Sequence, residues 1–443
     1  MREAERPLLP VHVWAHLDAA QRRRLLARPS PCENANFAAT VAEIVARVRS
    51  KGDVALREFT RRFDHIDVEN LAVENAQLQA AIHGLPRVLA RALQSSSQRI
   101  ERFHRACAVN DVEVKTAPGV RCQRISRPID TVGLYIPAGS APLPSTALML
   151  GIPARLAACP RVIACTPPAR CGKPDPTLLA AAAMAGIHEV FVVGGAQAIA
   201  AMAWGTESIP RCDKIFGPGN RWVTAAKQSV AAQGDGPEID GPAGPSELLL
   251  VADGNADADY VAADLLSQAE HGADSQVLLI ADNAKLLEAV EARLVRQLEA
   301  LPRAATAREA LRESGAILVK NLAEAIRISN AYAPEHLIIN STEPRRWLAQ
   351  VKSAGSIFLG PWAPESVGDF TSGTNHVLPT GGRARATGGV TVDSFRKHIS
   401  VQELEPAGLA AIGPDAVVIA RAEQLEAHAQ AIDLRLRAMG GAA

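Results

Sequence analysis

The sequence predicts an α/β protein: two tandem, incomplete Rossmann-like parallel-sheet domains with small helical N- and C-terminal extensions. Three observations carry this. From residue 131 onward, short apolar runs alternate with helical stretches of roughly ten residues, as βαβ units do. The runs are continuously apolar, as strands buried on both faces require. The length, 443 residues, exceeds what one ordinary core holds.

The elements follow in chain order. The first 35 residues are rich in Pro and Arg and read as an extended arm. Within it "QRRRLLAR" (21–28) reads as a solvated basic helix face. From Phe37 to Cys107 the pattern is helical; "FAATVAEIVARVRSKG" has apolar residues three to four apart and stops at Lys51-Gly52. A polar segment with strand-like stretches around "DVEVKTAPGVRCQRIS" comes next. Then "TVGLYIP", "RVIACTPP", "EVFVVGG" and "KIFGPG" alternate with the helical "PTLLAAAAMAG", "AQAIAAMAWG" and "NRWVTAAKQSVAAQG". A second set runs through "SELLLVAD", helix 257–271, "SQVLLIAD", helix 284–299, "GAILVKN", helix 322–330, "HLIIN" and "SIFLG". Residues 360–398 are Gly/Thr-rich with little periodicity, and a long irregular stretch carrying Asp, Asn, His and aromatics favours function. From Pro414 onward the chain is helical and amphipathic, fit to pack on itself or to clasp a partner. The divisions expected are an arm at 1–35, a first α/β domain from 36–130 and 252–386, a second from 131–251, and an extension at 387–443.

Composition excludes some functions. Lys+Arg and Asp+Glu both number 47, so no global electrostatic footprint for nucleic acid or an anionic membrane is expected. No run of 18 apolar residues suggests a membrane helix, and "MREAERPLLPVHVW" lacks a signal-peptide core. Seven thinly spread cysteines point to reduced thiols and a cytoplasmic protein. Cys159, Cys165 and Cys171 are evenly spaced but match no common zinc pattern; Cys165, ending "RVIAC", reads as a buried structural thiol.

Four features bear on chemistry. In "SQAEHG", Gln268 and His271 share one face of a helix end, between an expected N-cap at Asp257 and a C′ glycine at Gly272. They read as two metal ligands or as a polar helix end. In "NAYAPEHLIIN", Pro334 ends a helix, pushes Ala333 toward extended geometry, and leaves Glu335-His336 at a strand entrance. An adjacent Glu and His there suit proton transfer, and a surface pair is the alternative. In "GDFTSGTNHVLPTGG", Asp369 and His376 stand among small residues. In the tail, Glu423 and His428 are about 140° apart on a straight helix, so they share a face only if it breaks. No G-x-G-x-x-G occurs, but glycines in "VVGGAQAIA" and "GPGNRWVTAAK" open helices whose N–H groups could meet a phosphate, or simply form tight turns.

The blocks "GPGNRWVTAAK", "DGPAGPSELLLVAD", "DLLSQAEHGADSQ", "AYAPEHL", "GSIFLG", "GDFTSGTNHVLPTGG" and "EQLEAHAQAIDLRL", in that order, resemble the histidinol dehydrogenase family from about residue 37 to 437. The resemblance implies oxidation of L-histidinol to L-histidinal and then L-histidine, the last steps of histidine biosynthesis, with two NAD and one Zn2+ per subunit. It implies Gln268, His271, Asp369 and His428 as zinc ligands, with His428 supplied by the other subunit of a homodimer whose sites are shared. Glu335 and His336 would be the bases. Ser246, His376 and Glu423, together with the ligands and His336, would contact substrate. Tyr135, Gln197 and Asn220 would contact NAD, placing the cofactor on the 131–251 domain and the dimer clasp on the 387–443 extension. Phe370 stands where the family often has Tyr, Thr387 where a larger residue is common, and no step needs Cys122 or Cys159. The alternatives are a related zinc/NAD alcohol dehydrogenase acting on a small polar alcohol such as a sulfonated diol, a zinc hydrolase using Glu335, and a non-catalytic binding protein on the same fold, against which the presence of every residue the chemistry needs counts.

Overall fold

A computed structural model describes residues 7–29, 35–138, 141–242 and 244–440. Along the chain, β1 (Val11–Val13) and α1 (Ala19–Leu25) precede α2 (Ala35–Asp64), α3 (Asn75–Gly84) and α4 (Arg87–Cys107). Strands β2 (Val112–Ala117) and β3 (Val120–Pro128) follow. Next come β4 (Thr131–Tyr135), α5 (Pro144–Leu156), β5 (Arg161–Thr166), α6 (Pro176–Ala185), β6 (Glu189–Val192), α7 (Gly195–Trp204), β7 (Lys214–Phe216), α8 (Arg221–Ala231) and β8 (Glu238–Ile239). The second series is β9 (Glu247–Ala252), α9 (Ala258–Ala269), β10 (Gln276–Ala281), α10 (Ala284–Leu298), α11 (Ala304–Arg312), β11 (Gly315–Leu318), α12 (Leu322–Tyr332), β12 (His336–Asn340), β13 (Ser356–Leu359) and α13 (Glu365–Phe370). Strand β14 (Arg396–Leu404), α14 (Pro406–Ala422) and α15 (Glu426–Gly440) close the chain.

Two sheets are wholly parallel, in the orders β6-β5-β4-β7-β8 and β1-β11-β10-β9-β12-β13. Apart from edge strand β1, each runs third, second, first, fourth, fifth in its own chain order. That is the doubly wound dinucleotide-fold order short of its last strand, so the expected pair of incomplete Rossmann-like sheets is present. Strand β9 shows why its sequence is continuously apolar. Leu248, Leu250 and Ala252 pack under α9 and α10, while Leu249 and Val251 pack under α12. Burying such side chains contributes about 1.5–3 kcal/mol each, and a charge on either face has no exit to water.

The chain divides into two compact units, Met1–Cys107 with Asp130–Val392, and Ala108–Ile129 with Asp393–Ala443. This differs from the expected divisions in two places. β9, assigned on sequence to the end of the 131–251 domain, lies in the middle of the six-stranded sheet because it pairs with β10 and β12. Residues 108–129 group with the C-terminal extension because β3 pairs antiparallel with both β2 and β14. The extension is therefore not only helical: β14 is mostly exposed along its length and shows no clear inside–outside alternation to read.

Other expectations also change. The arm is not simply extended: β1 pairs with β11, and Asp18 caps α1 in a reciprocal box with Gln21. That D-x-x-Q spacing was the available signal. Residues 1–6 and 30–34 of the arm lie outside the described residues. Gly52 interrupts α2 with φ 51° but a helix resumes at once. Helix α5 has no reading in the sequence because it is buried all round from Ser145 to Ala154 and presents no polar stripe. The tail helix begins at Pro406, and Pro414 lies inside it. Cys165 is fully buried as expected. No helix among the described residues is long and apolar enough to cross a membrane.

Candidate active site

Helix α12 delivers the Glu335-His336 pair. Ala333 is not extended. It closes the helix in the left-handed region (φ 56°, ψ 68°), its N–H donating to the Ser329 carbonyl at 2.7 Å. The pre-proline restriction acts against the right-handed helical region and leaves this one open. The chain then bends through Pro334-Glu335 and enters β12 at His336. The bend lets both side chains serve one site: Glu335 Oε2 lies 3.7 Å from His336 Nδ1, and both residues are buried.

Strand β9 grips this pair with one residue. The Glu247 N–H donates to Glu335 Oε2 at 2.8 Å, and the Glu247 carbonyl lies 3.1 Å from His336 Nδ1. A carbonyl only accepts, so Nδ1 carries the proton of the neutral ring and Nε2 holds the lone pair. That Nε2 is buried without a hydrogen-bond partner among the described residues, 3.7 Å from Asp369 Oδ1.

Asp369 belongs to the six-residue helix α13, too short to show a period in the sequence. His271 Nε2 lies 4.0 Å from its Oδ2, and His376 Nδ1 lies 3.0 Å from its backbone carbonyl. Gln268 is fully buried in the last turn of α9, and neither amide atom has a hydrogen-bond partner among the described residues. Buried amides are almost always hydrogen-bonded, so this pair of orphaned atoms marks a missing ligand. Asp257 caps α9 as expected, but His271 lies beyond the helix end and Gly272 is not left-handed. The turn closes instead through the His271 N–H to the Gln268 carbonyl at 3.2 Å. Sequence reasoning missed Glu365. One ligand atom each from His271, Glu365 and Asp369 lie within 4.8 Å of one another, and the signal was the i, i+4 spacing of Glu365 and Asp369.

The cluster is electrostatically strained toward a cation. Burial raises Glu335 to about 7, against the pull of His336. Burial raises Glu365 to about 8. It also opposes ionisation of Asp369, yet His336, His376 and His271 hold that carboxyl below its ordinary range. Burial alone would lower His336, but Glu335, Asp369 and Glu365 outweigh it and raise the imidazole to about 10. The cause is three carboxylates in one pocket, and a dication among them would remove that bias.

The other expected residues fall in two places. Tyr135 ends β4, Asn220 follows β7, and Gln197 sits buried in the first turn of α7. β4 and β7 are the neighbours between which the five-stranded order reverses, and Tyr135 and Asn220 lie at their carboxyl ends, where such folds bind nucleotides. The Gly195 N–H donates to the Tyr135 hydroxyl at 3.0 Å, and the Asn220 side chain caps α8. Thr146 Oγ1, from α5, lies 3.4 Å from His376 Nε2 and ties this half to the acid cluster. Ser246 directly precedes Glu247 at the start of β9. Glu423 and His428 lie in the second unit. The helix does break between them: α14 ends at Ala422, Gln424 has φ 60°, and α15 starts at Glu426.

A family model described as histidinol dehydrogenase matches residues 28–436. The chain belongs to the histidinol dehydrogenase family. It is 56% identical over 423 residues to a histidinol dehydrogenase of Xanthomonas oryzae pv. oryzae, covering 96% of this chain and 98% of that protein. A histidinol dehydrogenase of Xylella fastidiosa (strain Temecula1) is 53% identical over the same length. The crystal structure of histidinol dehydrogenase from Elizabethkingia anophelis superposes with a TM-score of 0.94 at 42% identity, covering 98% of this chain and 99% of that one. Family membership makes the chain an oxidoreductase. The histidinol dehydrogenase match begins at Arg28, nine residues earlier than the sequence blocks suggest.

Proposed function

We propose that the chain oxidises L-histidinol through L-histidinal to L-histidine, reducing two NAD, with one Zn2+ per subunit and sites shared in a homodimer. The observation that carries the reading is His336. Its Nδ1 is committed to the Glu247 carbonyl, which leaves a buried Nε2, without a hydrogen-bond partner among the described residues, beside Asp369. That is the arrangement a general base needs.

Gln268, His271 and Asp369, completed by His428 from the second subunit, would hold the metal, with Glu365 adding charge beside them. The orphaned Gln268 amide and the His271–Glu365–Asp369 cluster fit such a site. Bound there, Zn2+ would supply an anchor for the imidazole and amine of histidinol. His336 Nε2 takes the hydroxyl proton as hydride leaves carbon for the first NAD, giving the aldehyde. Glu335, buried beside it, then accepts a proton from water as the water oxygen bonds to the aldehyde carbon. With the first proton passed from His336 to solvent, the hydrate gives a hydride to the second NAD as His336 Nε2 takes its remaining hydroxyl proton, which leaves the carboxylate. Ser246, His376 and Glu423 would orient substrate, and Tyr135, Gln197 and Asn220 would hold the dinucleotide. Keeping the aldehyde in a buried site prevents its escape between steps.

The test is NADH production from purified protein with L-histidinol and Zn2+. About two NADH per histidine formed is the expected stoichiometry, fixed by the four-electron change. No NADH from histidinol, with turnover of another polar alcohol, overturns the substrate; hydrolysis without NAD overturns the class.

A further inference from the structure

We infer that Arg28, in the N-terminal arm, is a positioning residue for Glu335 and His336, acting through Glu247. The inference rests on the reading of that pair as the bases. "QRRRLLAR" read as a solvated face, and Arg22–Arg24 do lie on the mostly exposed helix α1. Arg28 does not. Its guanidinium forks onto Glu247, Nε to Oε1 at 2.6 Å and Nη2 to Oε2 at 2.7 Å. It lies over the Tyr332 ring, 4.0 Å from the centroid, and Nη2 also reaches the carbonyls of Tyr332 (2.9 Å) and Ala333 (3.2 Å).

Each contact leads to the bases. Glu247 is 3% exposed, and its own N–H and C=O are the groups that hold Glu335 Oε2 and His336 Nδ1. Tyr332 and Ala333 are the last residues before Pro334-Glu335. One guanidinium thus holds both the strand start that grips the pair and the helix end that delivers it. The arm is tied a second time, the Gln276 amide donating to the Ala27 carbonyl at 3.1 Å and accepting from the Tyr332 hydroxyl at 2.7 Å. Besides Arg28, the Glu247 carboxylate accepts from the Gly381 N–H at 2.6 Å. Without Arg28 it is a buried anion with one backbone donor, and the strand start must shift to find water. Lysine cannot substitute, because a single ammonium cannot span both carboxylate oxygens and the two carbonyls.

The test compares wild type, R28K, R28M, R28A, E247Q, R28M/E247Q and H336A as zinc-loaded enzymes, with rates normalised to bound zinc. R28K and R28M are expected to lose roughly tenfold to a hundredfold in kcat, as misplacement of about an ångström does. KM for NAD should stay within about twofold. R28M/E247Q should be no slower than the slower single variant, because both act through one link. Guanidinium ion should restore part of the R28A rate, and urea at the same concentration should not. If R28M does not fold, R28K and the rescue of R28A decide. Wild-type kcat in folded R28 variants with H336A inactive overturns the Arg28 inference alone. Activity retained by H336A overturns the reading of the pair and this inference with it. Multiplicative losses in the double variant, or equal rescue by urea, reduce Arg28 to a general stabiliser and overturn it also.

Discussion

Replacing Lys227 by Met tests how the half proposed to hold NAD is built. Lys227 is 1% exposed and its ammonium is paired with Asp240, itself almost fully buried. The pair encloses Gly217: Lys227 Nζ donates to its carbonyl at 2.9 Å, and its N–H donates to Asp240 Oδ2 at 2.7 Å. Gly217 has φ 120°, and a Cβ there would overlap the Tyr135 carbonyl, so this turn has no freedom to relax. Removing one member of a buried pair costs about 3–5 kcal/mol. At roughly 2–4 °C per kcal/mol, and less for a longer chain, the melting temperature of K227M should fall on the order of 5–10 °C. The sign with pH follows from Asp240. Burial already outweighs Lys227 and raises its pKa, and losing Lys227 raises it further. The penalty is therefore full above that raised pKa and shrinks as pH falls through it and the carboxyl protonates. K227M/D240N should recover much of the loss. The assay is thermal unfolding across pH with KM for NAD alongside, which should rise because Asn220 lies three residues beyond Gly217. A K227M melting temperature within about 1 °C of wild type would refute the reasoning, since an uncompensated buried charge costs more than that. So would a double variant as unstable as the single.

Gln268→Leu should retain metal at least about 10–100-fold less tightly, the loss already seen when a group behind the ligands is removed, read as zinc content after dialysis against a chelator, and Zn2+ should raise its melting temperature less than that of wild type. With L-histidinal as substrate, the rate should fall as pH drops below about 7, where Glu335, raised there by burial, takes up the proton it must lack to act as base; a profile flat down to pH near 5 would remove it from that role. Mixing inactive His428→Ala and His336→Ala subunits should restore part of the activity in confirmed hybrid dimers, and none would return if each subunit's site were self-contained.

Much was legible in the sequence. Continuous apolar strands between ten-residue helices predict parallel sheets, because a strand covered on both faces has no polar side to show. "SQAEHG", "PEH" and "GDF" single out Gln268, His271, Glu335, His336 and Asp369, and all five lie in one unit around one cluster. What periodicity could not show was α5, uniformly buried, and β14, mostly exposed, since neither presents a stripe. Glu365 was passed over because its helix is less than two turns long.

The sequence by itself determined the α/β class, the family and the residue types of the site, since those depend on local pattern and on the order of motifs. Only the tertiary structure decided which nitrogen of His336 is free, that Gln268 has no hydrogen-bond partner among the described residues, and that Arg28 meets Glu247. The first and the last depend on groups far apart in the chain, residues 28, 247, 336 and 369, meeting at 2.6 to 3.7 Å. Hydrogen-bond commitment and burial exist only after that meeting, so no reading of spacing contains them.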